Sequence, residues 1–217
     1  MSRPDSTLPP APPPPDSVRV LTGPGRAEFN EQRSRFLGFA VPATDEDAAR
    51  ASVAGLRREY HDARHACSAW RLGAPPPPRE HRHDDGEPAG TGGEPILAAI
   101  RKADLTNTLV VVVRYFGGVK LGTGGLARAY GAAATLALAD ATAGDLPLGR
   151  VFCVEFPYAL RHAVATVVDV RGGRAIAEAY GAQVAWDVWL PHSGCRGFVE
   201  AVVQATAGVV SPREKRG

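Results

Sequence analysis

Apolar positions recur along this chain with two periods. Residues 18–21, 27–30 and 35–41 read as short strands, the second and third joined through EQRS. In TDEDAARASVAGLRREY, Ala49, Val53, Leu56 and Tyr60 fall at 4-3-4 spacing, the stripe of an amphipathic helix. Thr44 is placed to cap that helix with Asp47 at the third position. Asp45, Glu46 and Asp47 suit its positive start, and Arg57 and Arg58 its negative end. HACSAWRL predicts a strand over 65–72. The polar REHRHDDGEPAGTGG after it predicts loop, and Pro95 opens a short helix carrying Ile96, Leu97 and Ile100.

TLVVVV does not alternate. Its uninterrupted β-branched run predicts a buried strand. A glycine-rich loop follows, then LARAYGAAATLALADATA, a helix whose alanines permit close backbone approach. GDLPLG at 144–149 breaks the pattern. Beyond it the expected order is strand 151–156, helix 159–170, strand 174–180, strand 184–190, helix 195–205 and strand 208–212. That is β-α-β-β-α-β, the ferredoxin-like arrangement. Val184, Trp186, Val188 and Leu190 alternate as a half-buried strand requires.

The expected organisation is therefore a proline-rich tail over 1–16, disordered for want of apolar surface, then a first domain over 17–143. A linker over 144–149 and a second domain over 150–217 complete it. A second proline run at 75–78 is expected as an exposed loop. A length of 217 residues suffices for two cores, and 44% apolar with 22% charged residues is ordinary for a folded α+β protein. No apolar run is long enough to cross a bilayer and no signal-type start is present, so a cytoplasmic protein without a membrane partner is expected. Cys67, Cys153 and Cys195 are far apart, which argues for reduced thiols. A net charge of +2 means that any nucleic-acid contact must come from a local patch.

The glycine loop is the first candidate for such a patch. Gly122 to Ala127 satisfies G-x-G-x-x-A, but five residues separate it from the preceding strand and it comes late in its domain, against the dinucleotide fingerprint. Lys120 is followed by Leu121 where a phosphate loop needs Ser or Thr, and RYFGGV lacks the second stacking aromatic of an RNA-recognition motif. What remains is a strand end, glycines that expose amides, and a helix starting near Thr123, a geometry that suits anions. The plain alternative is tight strand–helix packing with solvated charges. The candidate nucleic-acid or phosphate site comprises Arg114, Tyr115, Gly117, Gly118, Lys120, Gly122, Thr123, Gly124, Gly125, Arg128 and Tyr130.

The acidic stretch HRHDDGEP offers His81, His83, Asp84, Asp85, Gly86 and Glu87. A metal site would need three or more of these to converge, whereas D-D-G-E-P is turn chemistry throughout. No metal, cofactor or catalytic residue is expected. Asp84 with Glu87 as paired hydrolytic carboxylates lacks a nearby nucleophile, and His65 with Cys67 suits a buried strand better than a reactive pair.

SRFLGFA, DARHACSAW, DDGEPAGTGGEPIL and VVRYFGGVKLGTGGLARAYGAAA together resemble the IMPACT family. Ala66 departs from it, since the family usually has Asn there. The resemblance implies a first domain like the second domain of a small-subunit ribosomal protein and domain IV of elongation factor G, in the left-handed β-α-β superfamily. It implies a second domain like the last domain of that factor. It also implies a non-enzymatic role linked to translation, with RNA or the ribosome, and a protein of translational control, as partners. The basic turn would be the contact surface; the acidic motif has no assigned chemical role, and one picture folds it against the basic turn to pin that turn electrostatically, a structural job. The alternative that stays open is a small-molecule kinase-like enzyme of the same superfamily, holding nucleotide phosphates with this loop.

Overall fold

The computed structural model describes residues 14–74 and 77–215; the expected tail through residue 13 and the prolines at 75 and 76 lie outside the described residues. The chain folds as mixed α and β structure, and its contacts divide it between Leu146 and Pro147 into two units, with Pro14, Pro15 and Asp16 grouped with the second.

The first unit runs β1 (Ser17–Leu21), β2 (Gly25–Glu31), β3 (Ser34–Pro42), α1 (Glu46–Glu59), β4 (His65–Leu72) and β5 (Arg79–His83). It continues through α2 (Gly93–Lys102), β6 (Leu105–Thr106), β7 (Thr108–Tyr115), α3 (Gly122–Asp140) and β8 (Ala143–Pro147). Five strands form an antiparallel sheet in the order β2-β3-β7-β4-β5. The valine run lies at its centre, and the physical reason is that both faces are covered. Val110 and Val112 join Phe36, Cys67 and Ala69 beneath α2 and α3. Leu109, Val111 and Val113 join Leu37, Phe39 and Trp70 beneath α1. By the same alternation Arg114 falls on the α3 face and Tyr115 on the α1 face.

The alanines of α3 do what their size allows. A Cβ on Gly38 would meet the Ala133 carbonyl, and one on Gly25 the backbone of Ala137 and Ala141, so α3 rides directly on β2 and β3. The β2–β3 hairpin closes in two residues, Gln32 and Arg33, both with positive φ (44° and 67°). A small second sheet, β6-β1-β8, includes the parallel pair β1–β6.

The structure differs from the sequence expectations at several places. Asp45, not Thr44, caps α1, its carboxylate accepting from the Ala48 amide at 2.8 Å. Arg79–His83, expected as loop, is the edge strand β5. The apolar stretch of the helix after the glycine loop begins at Leu126, but the helix itself begins at Gly122, so that Gly122, Thr123, Gly124 and Gly125 are its first turn, in keeping with a start near Thr123. Residues 144–147, expected as linker, continue as β8 beside β1.

The second unit follows with β9 (Gly149–Phe156), a 3-10 turn (Tyr158–Leu160), α4 (Arg161–Val170), β10 (Arg174–Tyr180) and β11 (Val184–Pro191). Then come α5 (His192–Cys195), α6 (Phe198–Ala205) and β12 (Arg213–Glu214). Its antiparallel sheet has the order β10-β11-β9-β12, and Val184, Trp186, Val188 and Leu190 pack against α4 and α6. The expected helix over 195–205 is two helices, because Gly197 takes a left-handed φ of 69° between them. The last strand lies at Arg213–Glu214 rather than at 208–212. Asp16, assigned to the tail, is tied to this unit, accepting from the Ser193 amide (2.7 Å) and hydroxyl (2.6 Å).

Candidate functional site

The acidic motif is fastened residue by residue. Asp84 accepts three amides, from Gly90 (2.9 Å), Gly92 (2.9 Å) and Gly93 (2.8 Å), and so ties the loop to the start of α2. Burial alone would raise its pKa, but these three bonds outweigh it and hold the carboxyl below its usual value. Asp85 accepts from the Ala66 amide at 2.7 Å and pairs with Arg57 at 2.8 Å, fixing the start of β4. The Cys67 thiol donates to the Asp84 carbonyl at 3.0 Å, and burial pushes it up to about 12. Gly86 has φ of 84°, the turn that lets the motif fold back.

Glu87 is the centre of the arrangement. It accepts from Arg114 Nη1 at 2.7 Å and from the Tyr130 hydroxyl at 2.8 Å, and its carboxylate is almost wholly enclosed. Arg114 also reaches the Ser34 hydroxyl (3.4 Å) and sits 5.5 Å from the ring centres of both Phe36 and Phe116. Its Nε–H is buried and has no acceptor among the described residues. His65 places Nδ1 2.8 Å from the Asp85 carbonyl, a contact that puts the ring proton on Nδ1 and turns Nε2 toward Glu87, 4.0 Å away.

His65, Gly86, Glu87 and Arg114 form one wall of a cavity of about 440 Å³. Arg64 and His65 come from the start of β4, Gly86 to Pro88 from the acidic motif, Arg114 and Phe116 from the end of β7. Lys120, Leu121, Gly122, Thr123 and Leu126 close it from the turn and α3. The N-terminus of α3 has no side-chain cap, so its first amides open here with the positive end of a 19-residue helix. Lys120 and Arg64 are exposed at the rim, and Phe116 is 43% exposed.

The structure redistributes the sequence-derived candidates. Lys120, Gly122 and Thr123 line the cavity as a group with Arg114. Arg114 is nevertheless not a solvated cation, because Glu87 holds it in the floor. Tyr130 is fully buried and cannot offer its ring to a ligand; it packs edge-on against Phe36 at 5.1 Å. Tyr115 lies on the opposite face of the sheet, its hydroxyl donating to Asp62 at 2.8 Å. Arg128 is exposed but lines no part of this cavity. Gly117 is needed for close approach, since a Cβ there would overlap the Arg33 carbonyl; Gly118 and Gly122 have positive φ. Gly125 is buried in α3, while Gly124 is exposed at its start. His81 and His83 stand on β5, His81 stacked on Trp70. Among the described residues no cluster of three His, Cys, Asp or Glu side chains is arranged to hold a metal.

Arg64, His65 and Phe116 were not singled out as site residues from sequence. The register that brings His65 opposite Arg114 is a long-range pairing, and Phe116 is exposed where the chain leaves the sheet after Tyr115.

A three-segment clamp of buried carboxylate, strand arginine and uncapped glycine-rich helix start defines this first unit, and residues 32–138 match the family described as the Impact N-terminal domain. The chain is 37% identical over 178 residues to IMPACT family member YigZ of Escherichia coli, covering 82% of this chain and 87% of that one. It is 50% identical over 128 residues to an IMPACT family member of Thermus thermophilus, covering 58% and 68% respectively. A solved structure titled as a hypothetical protein superposes with a TM-score of 0.64 at 31% identity, covering 93% of this chain and 98% of its own. The chain belongs to the IMPACT family.

Proposed function

We propose that this protein is a non-enzymatic regulator linked to translation, and that it contacts single-stranded RNA, free or on the ribosome, through the cavity at the start of α3. The observation that carries this reading is the uncapped N-terminus of α3, which shares one cavity lining with two exposed cations, Arg64 and Lys120, and the exposed Phe116. Helix amides and cations suit a phosphate, and an aromatic face suits an unstacked base. The reading takes the first unit as a relative of ribosomal-protein and elongation-factor domains. It takes the second, with the sheet order β12-β9-β11-β10, as ferredoxin-like. A protein of translational control is a further partner under it, and the cytoplasm its location.

The test is the salt dependence of affinity for a single-stranded RNA. Each phosphate contact contributes a slope of about 0.7 in log affinity against log salt for single strands. Arg64→Ala with Lys120→Ala should flatten that slope by roughly 1.4. Equal slopes in wild type and double variant would remove the cavity from RNA binding. If RNA does not bind and ATP raises the melting temperature, the kinase-like reading replaces this one.

A further inference from the structure

The cavity is larger than a phosphate needs and has the size of a pocket for one small molecule: its volume of about 440 Å³ lies in the range of roughly 300–1,000 Å³. It is bounded by four chain segments, and its size suits a single nucleotide-sized unit. Its charge is equally specific. Glu87 is the sole carboxylate on the lining, and it is already engaged by Arg114 and Tyr130. Arg64, Lys120 and the positive end of α3 are left in excess, a surplus matched to a dianion rather than to the single charge of an internal diester. Arg64 and Lys120 are both exposed on this lining, and the Arg114 side chain, held by Glu87 and Ser34 and only 7% exposed, backs them from the floor.

We infer that the cavity takes a terminal phosphate monoester on a nucleoside, either the phosphorylated end of an RNA or a free nucleoside monophosphate. The phosphate lies on the first amides of α3 between Arg64 and Lys120, and the base lies against Phe116. This rests on the reading of the cavity as an RNA site and narrows it from strand to end.

The experiment compares, on the full chain, one short single-stranded RNA with 5′-phosphate, with 3′-phosphate, and with hydroxyls at both ends, alongside AMP and adenosine. An end-phosphorylated RNA is expected to bind about tenfold more tightly than the hydroxyl form, as charge-assisted hydrogen bonds are gained at one group. AMP should outcompete adenosine. Thr123→Asp puts a carboxylate in the first turn of α3, which suits the helix and repels a phosphate, so it should abolish the phosphate preference while the melting temperature holds. Phe116→Ala should weaken both nucleotide and RNA without unfolding, because that ring is exposed. Equal affinity for the phosphorylated and hydroxyl RNAs would overturn the inference and leave the RNA reading standing. Binding of AMP but of no RNA, lost in Thr123→Asp, would support the monoester site and overturn the RNA reading.

Discussion

Arg114 and Glu87 form an ion pair of 2.7 Å inside the first unit, with their side chains only 7% and 4% exposed. A cation that reads in the sequence as part of a basic turn is thus the buried half of a pair, and the acidic motif is its other half. The pair fixes the end of β7 against α3 through Tyr130, and so shapes the cavity wall before any ligand arrives.

Removing one partner should be costly. Glu87→Ala strands a buried guanidinium and the Tyr130 hydroxyl, and should lower stability by about 3–5 kcal/mol in urea denaturation. Arg114→Met added to Glu87→Leu should recover much of that loss, since two apolar side chains need no partner.

Asp84 gives the fold a pH dependence of defined sign. Its folded pKa lies below the unfolded value near 3.8, so its contribution is complete above that pH and is lost as pH falls through the folded value. Denaturation midpoints for wild type should drop in this acid window, and Asp84→Asn should show a smaller drop there while being less stable at neutral pH. Parallel pH profiles for the two proteins would contradict the role given to the three amide bonds.

Thiol chemistry should follow burial. Cys67 is buried with its pKa pushed up to about 12, whereas Cys153 is partly exposed. Alkylation of the native protein, mapped by peptide mass spectrometry, should label Cys153 and spare Cys67 until the fold is opened.

The two-residue hairpin Gln32–Arg33 uses left-handed backbone at both positions without a glycine. Arg33→Gly should therefore stabilise by about 0.5–1 kcal/mol, the scale of relieving one such residue. Gly117→Ala should destabilise, because its Cβ would overlap the same turn.

These contrasts show what the chain discloses locally and what it does not. Ala49, Val53, Leu56 and Tyr60 announce α1, and the valine run announces β7, because each signal sits within a dozen residues. Arg79–His83 is exposed along its whole length, so its strand carries no alternation to read. Whether Arg114 is a solvated or a buried charge depends on Glu87, 27 residues away, and on Ser34, 80 residues away. Tyr130 reads as a surface aromatic beside Arg128 until α3 is laid on the sheet, where one turns inward and the other outward. The glycines at 122–125 read as loop because their propensity opposes helix; packing of Leu126, Ala129 and Tyr130 carries the helix back through them.

The most direct measurement is the backbone amide spectrum of the full chain during titration with a short, 5′-phosphorylated single-stranded RNA. The account predicts that the amides of Gly122, Thr123 and Gly124 shift first and furthest, together with those of Arg64, His65 and Phe116. Saturable shifts confined to residues 149–215, with the start of α3 unmoved, would contradict it.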